Sequence, residues 1–185
     1  MPEKTQPRAV FLLGFMGAGK TSVGRVLAQR LAWPFVDLDH RIEARAASSV
    51  VEIFHKEGEA AFRKAERAAL EELLEGLEGS GPLVVALGGG AFVQEDNRRL
   101  LGRAGAPVIF LDAPAEVLLQ RCQTAAATRP LLEDEPSFRA LYDARRPHYL
   151  RATRRVDTAG KGVEAIAEEI ALWLRSPRDR KTRER

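Results

Sequence analysis

Apolar positions along the chain fall into two alternating patterns. Ala9 to Gly14 reads Ala-Val-Phe-Leu-Leu-Gly, a short continuous apolar run of the kind a strand buried on both faces requires. Thr21 to Leu31 instead spaces Val23, Val26, Leu27 and Leu31 along one helical face. Pro34 to Asp39 predicts a second strand, and Pro82–Leu87 and Pro107–Leu111 two more, each introduced by a proline where a strand can begin. Arg154 to Asp157 predicts a weak fifth. Helical spacing returns between them over Gly58–Leu77, with Ala61, Phe62, Ala65, Ala69, Leu73 and Leu77 as its apolar set. It recurs over Gln94–Arg103, Pro114–Gln123, Ser137–Leu150 and Val163–Leu174. Strands alternating with helices predict an α/β fold, a parallel sheet covered on both faces. Ligands of such sheets bind at the carboxyl ends of the strands. The chemically distinctive segments Gly17–Thr21, Asp37–Asp39 and Gly88–Gly90 all follow directly on an apolar run.

Composition narrows the classes. The 185 residues, 45% of them hydrophobic and 30% charged, suit one soluble domain with a real core. No apolar run approaches the roughly 18 residues a membrane span needs. Met1 to Arg8 lacks the apolar stretch of a secretory signal, and Cys122 stands alone, so a disulfide framework is excluded and a reducing cytoplasm is expected. The net charge of +3 invites a nucleic-acid reading. However, residues 176–185 carry five basic and two acidic residues, 5 − 2 = +3, which leaves residues 1–175 at 3 − 3 = 0. The excess belongs to a tail with no apolar residue beyond Pro177, expected to be disordered. Residues 1–8 are read as a flexible N-terminus, and no nucleic-acid or membrane partner is expected.

Gly14-Phe-Met-Gly-Ala-Gly-Lys-Thr21 fits the phosphate-loop pattern G-x-x-x-x-G-K-[ST], between a predicted strand and a predicted helix. Its glycines let backbone N–H groups curl around phosphate oxygens, and the helix N-terminus adds partial positive charge. Lys20 supplies a point charge for the β/γ phosphates, and the Thr21 hydroxyl is the expected Mg²⁺ ligand. Gly17, Ala18, Gly19, Lys20, Thr21 and Ser22 are the expected nucleotide contacts. A glycine-rich turn that binds nothing is the bland alternative, and both flanking elements argue against it.

The acceptor side is less explicit. Asp37 and Asp39, two apart at the end of the second predicted strand, share a face, so both carboxylates can enter one cleft. One can hold Mg²⁺ through water while the other accepts a hydrogen bond from an acceptor hydroxyl. An equally weighted alternative makes Asp39 a helix cap before His40-Arg-Ile-Glu43. Arg63 and Glu66, three apart on a helix, can pair along its face. Gly88-Gly-Gly90 cannot pack or stabilise anything, and its expected use is close backbone approach to a ligand. Arg129-Pro-Leu-Leu132 follows a small-residue stretch, and Arg145-Arg-Pro-His-Tyr149 closes a helix.

Six segments in this order, GFMGAGKT, FVDLDHRIE, EIFHKEGEAAFRKAE, LGGG, RPLL and R-x-P-x-Y, make the chain from about Val10 to Leu174 resemble shikimate kinase. The resemblance implies a three-layer P-loop kinase fold with a five-stranded parallel sheet in the order 2-3-1-4-5. It implies a kinase domain over residues 9–175, with a helical substrate-binding region near 38–67 and a mobile lid near 122–136. The implied reaction is phosphorylation of the 3-hydroxyl of shikimate by ATP with Mg²⁺, in a cytoplasmic monomer. Asp39 matches the aspartate that binds shikimate hydroxyls and is the expected catalytic base, and Asp37 the one that helps hold Mg²⁺. Arg63 and Arg145 match the arginines on the shikimate carboxylate, with Glu66 orienting Arg63. Gly88, Gly89 and Gly90 match substrate contacts, Arg129 the lid arginine that closes on the phosphates, and Arg121 the adenine contact. Ala47 stands where the family usually has glycine, the Arg121–Arg129 spacing is one residue longer, and the segment after Tyr149 about one shorter.

Two alternatives remain at this point. A related small-molecule kinase, acting on gluconate or a nucleoside monophosphate, would share the phosphate loop and differ in its acceptor pocket. A non-catalytic nucleotide-dependent module would use the basic tail on nucleic acid. His40, His55 and His148 lack metal-ligand spacing and are expected at the surface or near helix ends. Trp33 and Trp173 are read as packing anchors and Cys122 as an inert helix residue.

Overall fold

Two of the apolar runs, Ala9–Leu13 (β1) and Val108–Asp112 (β4), are buried along their whole length, as continuous hydrophobic strands in the middle of a parallel sheet must be. The computed structural model describes residues 7–77, 81–124 and 134–176. Phe35–Asp37 (β2), Leu83–Ala86 (β3) and Arg154–Asp157 (β5) complete a five-stranded, all-parallel sheet. Its order is β2-β3-β1-β4-β5, as expected. Asp37 and Leu12 both pair with Ala86, while Leu13 pairs with Phe110. The carboxyl ends of β1, β2 and β3 therefore come level, and the segments that leave them open along one edge.

The helices are α1 (Lys20–Leu31), α2 (Leu38–Ala46), α3 (Val50–Gly76), α4 (Glu95–Arg103), α5 (Ala115–Thr124), α6 (Glu135–Tyr149) and α7 (Val163–Arg175). A 3₁₀ turn at Ala91–Val93 precedes α4. α1 lies against α7, where Arg30 pairs with Glu164 and Glu168. Phe11, Leu12, Leu13, Ile109, Phe110 and Leu111 form the middle of the core, each at most 1% exposed.

Two element boundaries differ from the sequence pattern. The second strand stops at Asp37 instead of Asp39, because the Asp37 carboxylate accepts the Asp39 backbone N–H at 3.2 Å and starts α2. Helix-forming residues follow, with Leu38 and Ile42 turned into the core. Asp37, rather than Asp39, is thus the helix cap. α3 starts at Val50, eight residues before the pattern places it. Ser49 and Glu52 cap it reciprocally, and Gly58, at φ 83°, interrupts it. Between α2 and α3, Ala47 is left-handed at φ 48°, which accounts for the family's usual glycine there.

Trp173 is 5% exposed and Trp33 packs against the core, in keeping with their reading as anchors. Cys122 is buried on α5. His40 and His55 are exposed and His148 lies in the last turn of α6. Residues 1–6, Arg129 with most of the expected lid, and 177–185 of the basic tail lie outside the described residues. Among the described residues no helix is long and apolar enough to cross a membrane.

Candidate active site

The loop from Gly14 to Thr21 leaves β1 and becomes α1. Gly17 and Gly19 both take positive φ, 78° and 86°, and Gly19 is the residue at which the helix begins. Glycine adopts this conformation without the steric penalty of a Cβ. At Gly17 a Cβ would also lie 2.6 Å from the Leu118 carbonyl oxygen of α5, so the helix behind the loop excludes any larger residue. Lys20 opens α1 and folds back, its Nζ donating to the carbonyls of Gly14 at 2.8 Å and Phe15 at 3.3 Å. The first turn of α1 holds no acidic residue, so nothing within it offsets the positive end of the helix dipole. The Thr21 hydroxyl donates to Asp37 Oδ2 at 2.8 Å. Hydroxyl and carboxylate thus meet at the mouth of the phosphate cradle.

Beside this loop, the turn after β3 carries Gly88-Gly89-Gly90, and each glycine faces a different predicted side chain. A Cβ on Gly88 would lie 2.5 Å from Asp39 Oδ1 and 3.0 Å from Glu66 Oε1. One on Gly89 would be 3.2 Å from the Arg145 guanidinium, and one on Gly90 would collide with that of Arg63. The glycines admit these side chains as well as any ligand. The consecutive helices α2 and α3 and the distant α6 supply one or two groups each to a pocket against the phosphate loop.

The pocket is charged and largely desolvated. Glu66 is fully buried and its Oε2 accepts from Arg63 at 2.9 Å; Glu59 accepts from the same guanidinium at 3.1 Å. Burial opposes the Arg63 charge, but Glu66 and Glu59 more than offset it and hold the arginine ionised. Phe54 and Phe62 lie 6.0 and 5.3 Å from it, fixing its plane. Burial also pushes the Glu66 and Asp39 carboxyls above the usual range, against the pull of Arg63 on Glu66 and of Lys20 on Asp39. Asp39 Oδ1 and Glu66 Oε1 are buried with no protein hydrogen-bond partner among the described residues. Two such acceptors facing one space suit a ligand that brings hydroxyl donors. Tyr149, 1% exposed, donates its hydroxyl to the Gly89 carbonyl, and burial pushes its pKa up to about 12.

At the other end of the loop, Arg121 of α5 donates to the Thr158 carbonyl at 2.7 Å and its hydroxyl at 3.2 Å. This holds Arg121, the expected adenine contact, at the segment that follows β5. Asp112, 3% exposed at the end of β4, accepts from Arg146 at 2.8 Å and pairs with Arg155 at 2.7 Å, while its carbonyl accepts the Thr158 N–H at 2.8 Å. The sequence pattern singles out neither Asp112 nor the Tyr149 hydroxyl. An aspartate ending an apolar run is the one signal that points to the first.

A parallel sheet in this order, a phosphate loop on its central strand and an acceptor pocket at the level of the strand ends together define a small-molecule P-loop kinase. The family model described as shikimate kinase matches residues 16–175. A shikimate kinase of Thermus thermophilus is 44% identical over 170 residues, covering 89% of each chain. The solved shikimate kinase of Acinetobacter baumannii, in complex with shikimate, superposes with a TM-score of 0.81 at 39% identity, covering 92% of this chain and 93% of that one. The chain belongs to the shikimate kinase family. A gluconokinase from Sinorhizobium meliloti, at 19% identity and TM-score 0.62, shares the fold alone.

Proposed function

We propose that the chain transfers the γ-phosphoryl group of ATP to the 3-hydroxyl of shikimate, giving shikimate 3-phosphate and ADP. The observation that carries this reading is the convergence of Asp39, Arg145 and Arg63 on three consecutive glycines beside the phosphate loop. Two guanidiniums at one end match a carboxylate, since their planar donors face both oxygens. The buried Asp39 acceptor at the Gly88 end, with the free Oε1 of Glu66 between it and Arg63, matches ring hydroxyls.

Asp39 orients the reacting hydroxyl and takes its proton as the oxygen attacks phosphorus, a role its raised proton affinity favours. Lys20 and the backbone N–H groups of Gly17 and Gly19 hold the β/γ phosphates, with Ala18 shaping the turn between them and Ser22 following on α1. Arg129, whose role rests on the family resemblance, closes on the same charge. Arg121 lies against the adenine. Thr21 and Asp37 fit Mg²⁺: they are hard oxygen donors that meet at 2.8 Å beside the phosphate loop. A hydroxyl and a carboxylate suit an ion that keeps several waters and binds mostly through nucleotide phosphates. When bound, it neutralises phosphate charge.

A coupled assay of ADP release tests the reading, run with shikimate, with gluconate and without acceptor. Shikimate alone is expected to drive turnover; turnover of gluconate but not shikimate refutes the assignment. Arg63→Ala and Arg145→Ala are expected to raise the shikimate KM by about 10-fold or more, with ATP affinity unchanged within about 2-fold. Equal loss of both affinities would contradict the assignment of the two arginines to the acceptor.

A further inference from the structure

Phe15 follows the first glycine of the phosphate loop, at a position the motif leaves open. Its ring is 1% exposed and packs into α6, with centroids 5.0 Å from Phe138 and 5.5 Å from Tyr142 at near-perpendicular angles. The guanidinium carbon of Arg145, on the same helix, lies 5.9 Å from the Phe15 centroid. The Phe15 carbonyl meanwhile accepts from Lys20 Nζ at 3.3 Å and from the Ala18 N–H at 3.1 Å. One residue therefore contacts the phosphate lysine through its main chain and the acceptor arginine through its ring.

The two acceptor arginines are held by different means. Arg63 is clamped by the carboxylates of Glu66 and Glu59. Among the described residues no carboxylate forms a salt bridge with Arg145; the Phe15 ring, the Tyr149 hydroxyl and the Gly89 turn lie beside it, and the Glu66 carboxylate acts on it only through space. An aromatic ring attracts a guanidinium through its quadrupole and limits its tilt without bringing a competing negative charge. Arg145 so held has no salt bridge among the described residues to break before an incoming anion binds, although the buried Glu66 carboxylate acts on it through space.

We propose that Phe15 is a positioning residue for acceptor recognition: its ring sets the Arg145 guanidinium, tying the acceptor carboxylate site to the phosphate loop. This rests on the reading of Arg145 as a shikimate ligand. It adds a residue of the nucleotide-binding loop to the acceptor's specificity.

Phe15→Leu keeps an apolar side chain and the backbone carbonyl but removes the ring. It is expected to raise the shikimate KM about 5-fold, within the roughly 2- to 30-fold span such a contact is worth. The ATP KM is expected to stay within about 2-fold, and kcat within about 3-fold. Phe138→Leu thins the same aromatic cluster without facing Arg145. It is expected to lower the Tm comparably and leave the shikimate KM in place. In an Arg145→Lys background the effect of Phe15→Leu is expected to shrink below about 2-fold, the non-additivity of residues that act together. If the leucine variant does not fold, Phe15→Met, which keeps more of the volume, reads the same constants.

An unmoved shikimate KM in the Phe15 variant overturns the inference, as does an equal rise in Phe138→Leu or full additivity with Arg145→Lys. If Arg145→Ala itself leaves the shikimate KM unchanged, the assignment of Arg145 falls and the positioning role of Phe15 falls with it. A raised KM in Arg145→Ala with a silent Phe15→Leu overturns the positioning role alone.

Discussion

Gly88→Ala isolates the geometry of the acceptor hydroxyl end with a single methyl group. Gly88 does not have a positive φ, so its backbone accepts alanine without strain. The new Cβ would stand 2.5 Å from Asp39 Oδ1, whereas ordinary contact begins at 3.4 Å. Asp39 or the turn must therefore give way by about 0.9 Å, the difference of those distances. Retreat toward Glu66 is opposed, because Glu66 Oε1 would itself be only 3.0 Å from the methyl. Displacing a catalytic group by about 1 Å costs on the order of 100-fold in rate. The turn can share the movement, so a 20- to 100-fold fall in kcat/KM for shikimate is expected, roughly 1.8 to 2.7 kcal/mol of transition-state stabilisation. The phosphate loop is not in the path of the methyl, so ADP affinity by titration calorimetry should stay within about 2-fold. The same samples melted in parallel report folding. A folded variant with kcat/KM within about 3-fold of the parent would refute the argument that Asp39 works at this distance from the turn. So would a parallel collapse of ADP binding.

Two further outcomes concern stability and titration. Ala47→Gly relieves a left-handed alanine at the α2–α3 junction, a strain of about 1–2 kcal/mol partly offset by about 0.4–1 kcal/mol of extra unfolded-chain entropy. The expected net gain of about 0.5–1 kcal/mol raises the Tm by roughly 1–4 °C, and a lower Tm contradicts the strain. The chain has two tyrosines, so Tyr142→Phe leaves Tyr149 as the sole tyrosinate chromophore. In the folded protein it is expected to ionise at about 12, and in denaturant near its ordinary value of about 10. Because the folded pKa is the higher one, this contribution to stability is complete below about 10 and lost as pH rises through about 12. Tyrosinate absorbance near 10 in a protein with intact helical circular dichroism would exclude the buried hydroxyl.

What is legible in the sequence is what local physics decides. The apolar runs of β1 and β4, the helical period of α7 and the phosphate loop need no distant partner to be recognised. Strand order and the roles of Arg63 and Arg145 come from family resemblance, because nothing in the residues near Gly89 says that a helix more than fifty positions later will meet them. The two aspartates show how a correct pairing can have a wrong cause. The strand pattern puts Asp37 and Asp39 on one face, yet the chain turns between them, and a cap hydrogen bond brings both to the site. The early start of α3 is signalled by Ser49-x-x-Glu52, and the helical period, clearest from Gly58 onward, hides it.

The three glycines also connect the pocket to residues remote from it. Gly88 faces Asp39, while Gly89 and Gly90 face the arginines, so on the proposed reading one turn spaces the two ends of the acceptor. Successive Cα atoms are about 3.8 Å apart, so two steps span at most about 7 Å, the scale of a six-membered ring carrying a group at each end. Such a gauge works only if the turn cannot drift. Tyr149 holds the Gly89 carbonyl from α6. Asn97 donates to the Ala91 carbonyl at 3.0 Å, and Arg98 to those of Phe92 and Val93 at 2.8 and 2.6 Å. Asp96, on the same turn of α4, pairs at 2.7 Å with Arg67 of α3, one helical turn beyond Arg63. The α4 segment therefore ties the turn to the helix that carries one of the groups it spaces. These contacts join the turn, α4 and α3 in a closed loop beside the pocket, and the buried and half-buried links to the turn carry more of it than the exposed Arg67–Asp96 pair.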